Sequence, residues 1–536
     1  MHLMRRFALL LIALVSPLRL AAQYTRAASE RPRLIVFLTV DQMRPDYLDR
    51  WAGQMNGGLA RLSRNGAFFT NAFQDHGVTE TAPGHSVTMS GRFPRSTGII
   101  SNTAGVEDQQ SPLLTSRDLP ASPYRFRGSV LLDWIRTRDT RSRALSVSRK
   151  DRGAILPLGR AKQNVFWYAT SNGEFTTSRY YADTLPDWIR HVNARRVPQK
   201  HAGEAWRLLL PANEYAEPDS EPIENGGKQY LFPHRLSGNA DSAAVDFPYT
   251  PWMDELTLDV ALEGLQALQL GKGPATDVVA VSLSATDYIG HRYGPDSREQ
   301  HDNIVRLDRA LGAFIDSLYK LRDSSAIVIA LTADHGVTPY PELVAKRANK
   351  PLPPRYDYSP ATTGLRSALT VNHVDPGAIS LDGGLVSVDR AAFAQAQVDP
   401  EPILRRFIGV VRTTPGIARV DRVGDLAGHD TVSDVVRRRW YHMIPADSPV
   451  EYVITPKQGA YSAGSKIAEH GLPYDDDAHV PVIFYGPWFK AGRYGDRALV
   501  VDMAPTLASV VGVPPTERID GHVLTQALIP HVRPPR

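Results

Sequence analysis

The chain contains no cysteine. Disulfides and thiolate nucleophiles are therefore excluded, and a metal site has to be built from carboxylates and the 16 histidines. An excess of one charge is missing too: 61 Lys and Arg stand against 57 Asp and Glu, a formal net charge of +4 over 536 residues. That balance lacks the basic stripe a nucleic-acid partner requires. Beyond the N-terminal region no run approaches the ~18 consecutive apolar residues of a membrane span. Internal repeats and low-complexity tracts are also absent. With no covalent staple, stability has to come from core burial or metals, and a hydrophobic content of 42 % suffices for the first.

What is present begins with MHLMRRFALLLIALVSPLRLAAQ. Arg5 and Arg6 form a positive region, Phe7 to Val15 an apolar core and Leu20-Ala21-Ala22 a small-residue exit. The apolar run is short for a bilayer, so residues 1–22 read as a secretory signal peptide rather than an uncleaved anchor. The mature protein is expected outside the cytoplasm, periplasmic or secreted, with no stable membrane span once the signal is cleaved.

Three continuous apolar runs follow: LIVFLTV (Leu34 to Val40), VVAVSL (Val278 to Leu283) and AIVIAL (Ala326 to Leu331). Unbroken runs suit strands buried on both faces. Each is followed within a few residues by an aspartate: Asp41, Asp287 and Asp334. Helical patterns lie between them, one opening at Thr250-Pro251 and one over 297–321 with Ile304, Leu307, Leu311, Phe314, Ile315 and Leu318 on one stripe. The alternation predicts an α/β fold with a central, mostly parallel sheet flanked by helices. In such sheets functional groups gather at the carboxyl ends of strands, so one edge can carry all three aspartates. Residues 31–536 form the expected catalytic domain. It is interrupted by an irregular insertion at 160–248 and a second insertion or small subdomain at 338–460, either of which can form a cap or lid. The final HVRPPR reads as a loose tail.

SATDYIGHRYGPDS places Asp287 and His291 four residues apart, on one face of a helical turn. LTADHGV puts Asp334 beside His335, and AEHGLPYDDDAHVPVIFYG adds His470 and His479 before another apolar run. Singly these are weak signals; together, mixed His and carboxylate ligands suit Zn2+. Three Asp and three His are enough for two Zn2+ with open positions for a substrate.

A further stretch, GVTETAPGHSVTMSGRFPRSTGIISN, sets Thr79 and Thr81 in a turn before a small-residue helix and ends at Asn102. With LTVDQMRPDYL, the aspartate and histidine segments above and VVDMAPTLASVVGVPPTERIDGHVL, it resembles the alkaline phosphatase superfamily in six ordered motifs. Within it the chain is similar to the threonine-nucleophile branch, which holds the nucleotide pyrophosphatase/phosphodiesterases and the PafA-like alkaline phosphatases. The resemblance implies an alkaline phosphatase-like sheet and two Zn2+. It implies Thr81 as nucleophile and Asp287, His291 and His470 on one metal. Asp41, Asp334 and His335 are implied on the other, which also binds the Thr81 oxygen. His470 is preferred to His479 because the family ligand sits in a His-Gly pair. Thr79, Glu80 and His85 read as structural neighbours.

Lys150 and Arg152, in SVSRKDRGAILPLG, stand two apart; in an extended segment both face the same way. The S-x-K-x-R pattern resembles the phosphate-binding pair of the PafA-like phosphatases, which the diesterase branch lacks. Arg grips two phosphate oxygens at once, and Asn102 is expected to donate to another. The implied activity is hydrolysis of small-molecule phosphate monoesters by double displacement through a phosphothreonine. The alternatives are a nucleotide phosphodiesterase and, more remotely, a non-catalytic exported zinc-binding protein. A sulfatase is disfavoured by the missing Cys and the missing C-x-P-x-R context.

Overall fold

The β1 strand (Leu34–Val40) is buried along its whole length, which is why LIVFLTV shows no polar alternation. This computed structural model describes residues 31–428 and 432–530. The signal-peptide reading of residues 1–22 and the loose-tail reading of 531–536 lie outside the described residues. After β1 come β2 (Ala67–Phe73), β3 (Ala144–Ser148), β4 (Asn164–Ala169) and β5 (Glu174–Thr176). The short pair β6 (Ala205–Trp206) and β7 (His234–Arg235) is followed by β8 (Asp277–Leu283) and β9 (Ile327–Thr332). Then come β10 (Ile379–Asp382), β11 (Leu385–Val388), β12 (Ile417–Arg422), β13 (Val450–Pro456), β14 (Val482–Tyr485) and β15 (Gly492–Leu499).

Nine of these form one sheet in the order β15-β2-β14-β9-β1-β8-β3-β4-β5. It is mostly parallel: β1 runs parallel to β8 and β9, and β3 parallel to β8 and β4. The antiparallel exceptions are β14, against both β9 and β2, and β5 against β4. The four adjacent parallel strands β9, β1, β8 and β3 therefore end at one edge, where Asp334, Asp41, Asp287 and Lys150 follow them.

The helices form as the apolar spacing requires. Arg298–Leu321 starts from Ser297, whose side chain accepts the Gln300 N–H, and buries Ile304, Leu307, Leu311 and Ile315. Pro251 is the residue before the Trp252–Ala267 helix rather than its first position. The stretch expected to leave the sheet at 160 instead contributes β4 and β5. NVFWYA buries its aromatic side chains against the core, so the irregular segment starts only after Thr176. Between Ile379 and Pro456 the strands β10-β11-β13-β12 make a second, antiparallel sheet. It shares a core with the helices Ser359–Val371 and Pro400–Thr413, around Leu369, Leu404 and Val411. Among the described residues no helix is long and apolar enough to cross a membrane.

Candidate active site

Local sequence explains how Thr81 is presented. Thr81 opens a helix that runs to Thr88, and Pro83 sits in its first turn, where a missing N–H is harmless. Gly84 lets the helix lie directly on the end of β9, since a Cβ there would collide with the Asp334 carbonyl. His85 fills the same gap: its Nδ1 is 2.9 Å from the Thr81 carbonyl and 3.0 Å from Asp334 Oδ2, and its Nε2 is 2.9 Å from Ser282 Oγ. Neither threonine caps the helix. Asn102 Oδ1 accepts the Ala82 N–H at 2.9 Å, and Thr79 donates its hydroxyl to the Leu472 carbonyl at 2.8 Å.

Two groups of ligand atoms stand beside Thr81. His291 Nε2 lies 3.3 Å from Asp287 Oδ1, His470 Nε2 lies 3.6 Å from the same oxygen, and the two ring nitrogens are 3.2 Å apart. Ligands held about 2.0–2.1 Å from a tetrahedral zinc stand roughly 3.3 Å from one another, so these three atoms are spaced as one ion's ligands. In the other group His335 Nε2 is 3.5 Å from Asp41 Oδ1 and 3.7 Å from Asp334 Oδ2. All three atoms are buried; Asp41 Oδ1 and His335 Nε2 have no hydrogen-bond partner, and Asp334 Oδ2 has the His85 ring nitrogen beside it. Buried polar atoms without partners are uncommon, and here they face one another. Asp287 also approaches this second group, its ligand atom within 4.8 Å of those of Asp41 and His335.

The histidine tautomers agree. His291, His335 and His470 each place Nδ1 on a backbone carbonyl, of Ala468, Gly336 and Thr79, at 2.6, 2.9 and 2.8 Å. A carbonyl can only accept, so Nδ1 carries the proton and Nε2 keeps its lone pair for a metal. Burial, reinforced by His335 and His291, holds His470 well below the usual imidazole range. Burial likewise depresses His335, and the neutral form is the one that ligates. His479 is placed differently: its Nε2 meets the Thr70 carbonyl at 2.8 Å and its ring stacks on Phe73.

Charge points the same way. Burial, then repulsion from Asp287 and Asp334, pushes Asp41 well above the usual carboxylate range. Burial also works against the Asp287 charge, but the Lys150 ammonium and His291 outweigh it and hold Asp287 well below that range. Lys150 Nζ lies 2.7 Å from Asp41 Oδ2 and 2.6 Å from Asp287 Oδ2. One ammonium against three buried carboxylates leaves a surplus of negative charge, which bound cations neutralise. The donor set and its spacing therefore fit bound metal.

Lys150 also donates to Thr81 Oγ1 at 3.1 Å. The extended geometry expected for Lys150 and Arg152 is not found: Lys150 immediately precedes the Asp151–Ile155 helix, and Arg152 lies inside it. Both side chains nevertheless feel the same two carboxylates, Asp41 and Asp287. Arg152 Nη1 is 3.3 Å from Asp151 Oδ1, while its Nε is buried without a hydrogen-bond partner.

Two bracing residues escape motif reading. Gln42 adopts φ +64°, donating its N–H to Asp334 Oδ1 at 3.1 Å and its Nε2 to Asp287 Oδ1 at 2.9 Å. Asp477 accepts Thr338 Oγ1 at 2.8 Å and the Leu472 N–H at 2.9 Å, joining the loops that follow His335 and His470. Gln42 follows Asp41 directly and Asp477 stands in the DDD run, but nothing local marks either as a brace.

Comparison with known proteins follows the same lines. A family model described as type I phosphodiesterase / nucleotide pyrophosphatase matches residues 35–381. Alkaline phosphatase PhoV of Synechococcus elongatus is 30 % identical over 517 residues, covering 93 % of each chain. Alkaline phosphatase PafA of Elizabethkingia meningoseptica is 28 % identical over 520 residues, covering 92 % of this chain and 94 % of its own. A crystal structure of PafA with one Thr→Ser, one Asn→Ala, one Lys→Ala and one Arg→Ala change superposes with TM-score 0.85 at 25 % identity. It covers 94 % of this chain and all of the other.

Proposed function

Since the chain belongs to the type I phosphodiesterase / nucleotide pyrophosphatase family, we propose that it is the family's alkaline phosphatase form. It hydrolyses small-molecule phosphate monoesters by double displacement through Thr81. The observation that carries this reading is the contact between the buried Lys150 ammonium and Thr81 Oγ1, 3.1 Å, at the edge where both ligand groups meet. Full-length similarity to proteins named alkaline phosphatase supports the monoesterase branch. The four residue types altered in the PafA crystal structure occur here in the same order as Thr81, Asn102, Lys150 and Arg152. The spacing is the same within the Thr–Asn pair and within the Lys–Arg pair, although not between the two pairs.

Asp287, His291 and His470 would hold one Zn2+, and Asp41, Asp334, His335 and Thr81 the other. When bound, the ions act as Lewis acids on the nucleophile and leaving-group oxygens. Lys150 stabilises the Thr81 oxygen, whose proton passes to solvent, as that oxygen attacks phosphorus. The ester P–O bond breaks and the alcohol leaves after taking a proton from solvent. Asn102, its Oδ1 anchored to Ala82, presents its NH2 end to a non-bridging phosphoryl oxygen. The unpartnered Arg152 Nε supplies a further donor for the dianion. Water then releases phosphate from phosphothreonine and regenerates Thr81. Residues 1–22 would direct export to the periplasm or medium.

The test compares kcat/KM of the zinc-loaded mature chain for p-nitrophenyl phosphate and bis-p-nitrophenyl phosphate. Preference for the monoester, lost in Thr81→Ala and after EDTA, is the expected result. Preference for the diester would assign the chain to the phosphodiesterase branch, and inactivity on both with zinc bound would mean a non-catalytic zinc protein.

A further inference from the structure

The loop that ends at Asn102 has little regular structure of its own, yet an amide donor works only when aimed. Glu80 Oε2 accepts the Asn102 backbone N–H at 2.8 Å, while Asn102 Oδ1 accepts the Ala82 N–H at 2.9 Å. The two bonds form a clasp around Thr81, which lies between Glu80 and Ala82 in the chain. Because Oδ1 is committed to Ala82, only the NH2 end of the amide faces a ligand.

One residue earlier, Ser101 Oγ donates to Asp382 Oδ2 at 2.8 Å and accepts the Ala104 N–H at 3.0 Å. Asp382 ends β10, at the tip of the β10–β11 hairpin of the second sheet. Gly383 and Gly384 turn that hairpin at φ +53° and +85°. A Cβ on Gly383 would stand 3.5 Å from Glu80 Oε1, and one on Gly471, next to His470, 3.9 Å from it. Glu80 thus sits where the Asn102 loop, the hairpin tip and the His470 loop converge.

We infer that Glu80 and Asp382 are positioning residues for the Asn102 amide. Through Asp382 the second sheet becomes a working part of the phosphate pocket. The inference rests on the reading of Asn102 as a phosphate donor. Glu80 fixes the depth of the amide through the backbone, and Asp382 fixes the loop that carries it. Neither side chain meets the substrate.

The experiment is a set of double-mutant cycles on the zinc-loaded enzyme, with kcat/KM for p-nitrophenyl phosphate as readout and zinc content and Tm as folding controls. Asn102→Ala is expected to lower kcat/KM by roughly 10- to 100-fold. Glu80→Ala is expected to cost roughly 10-fold, and Glu80→Gln much less, because its side-chain carbonyl still accepts the Asn102 N–H. In an Asn102→Ala background, Glu80→Ala and Asp382→Ala should each cost less than about 2-fold, the scatter of uncoupled sites. If the single costs multiply in the double mutants while Asn102→Ala remains impaired, the positioning role is wrong and the Asn102 reading survives. If Asn102→Ala changes nothing, the Asn102 reading falls and this inference with it. Should Glu80→Ala fail to bind zinc or fold, the Asp382→Ala cycle, on the far side of the loop, decides alone.

Discussion

Thr81 is 1 % exposed, and its hydroxyl takes a hydrogen bond from an ammonium shared with two carboxylates. A threonine buried this way has no surface role, and on the proposed reading the adjacent ammonium offsets the cost of ionising it. Thr81→Ala is expected to lower kcat/KM by roughly 10³-fold or more while zinc content stays unchanged, because the other ligands remain. Steady-state rates with metal analysis of the same sample test this. The two histidines of the C-terminal segment separate cleanly. His470→Ala should lose one zinc per chain and most activity, since His470 Nε2 faces Asp287 and His291. His479→Ala should keep both ions, since His479 is bonded to the Thr70 carbonyl. Metal stoichiometry by elemental analysis distinguishes them.

Among the elements, the Thr81–Thr88 helix depends on closeness. In an isolated helix Gly→Ala is stabilising by about 1 kcal/mol. At Gly84 the added Cβ would meet the Asp334 carbonyl, and backbone cannot give way as a side chain can. Gly84→Ala should therefore destabilise the fold by roughly 1–3 kcal/mol, the usual cost of overpacking, and weaken zinc retention. Urea midpoints with and without zinc check both effects. The Val435–Met443 helix is tied down by charge. Burial opposes the Asp75 charge, but His442, Arg438 and Arg439 outweigh it and hold the carboxylate far below its usual range. Asp75 accepts Arg438 Nε at 2.8 Å and Arg497 at 2.9 Å. A depressed carboxylate contributes stability that is present above its unfolded value of about 3.9 and disappears as the pH falls toward the folded value. Asp75→Asn should lower Tm at pH 7, and the difference from the parent should shrink progressively below about pH 4.

For the whole molecule, the decisive feature is three carboxylates buried at the end of one sheet. Ions that bind there bind only the folded chain, so they stabilise it by mass action. Zinc at about 100 times its Kd should add about 2.7 kcal/mol per site, and EDTA should remove it. Thermal unfolding with each addition measures the shift. No shift, together with zinc-independent activity, would contradict the metal reading.

The three apolar runs alone determined that β1, β8 and β9 are buried on both faces, because a strand covered on both sides has no reason to alternate. That an aspartate follows each run within a few residues is likewise read from the sequence alone. Asp287 with His291 was legible because four residues make one helical turn. The tertiary structure decided what depends on neighbours. The strand order β9-β1-β8-β3 brings residues 334, 41, 287 and 150 to one edge. It places Arg152 in a helix that Lys150 immediately precedes, and it gives Gln42 a left-handed backbone that braces two aspartates. It also assigns the helix cap to Asn102 and the loop brace to Asp382. These contacts join residues up to hundreds of positions apart, and local pattern carries no information about which distant segment will supply the partner.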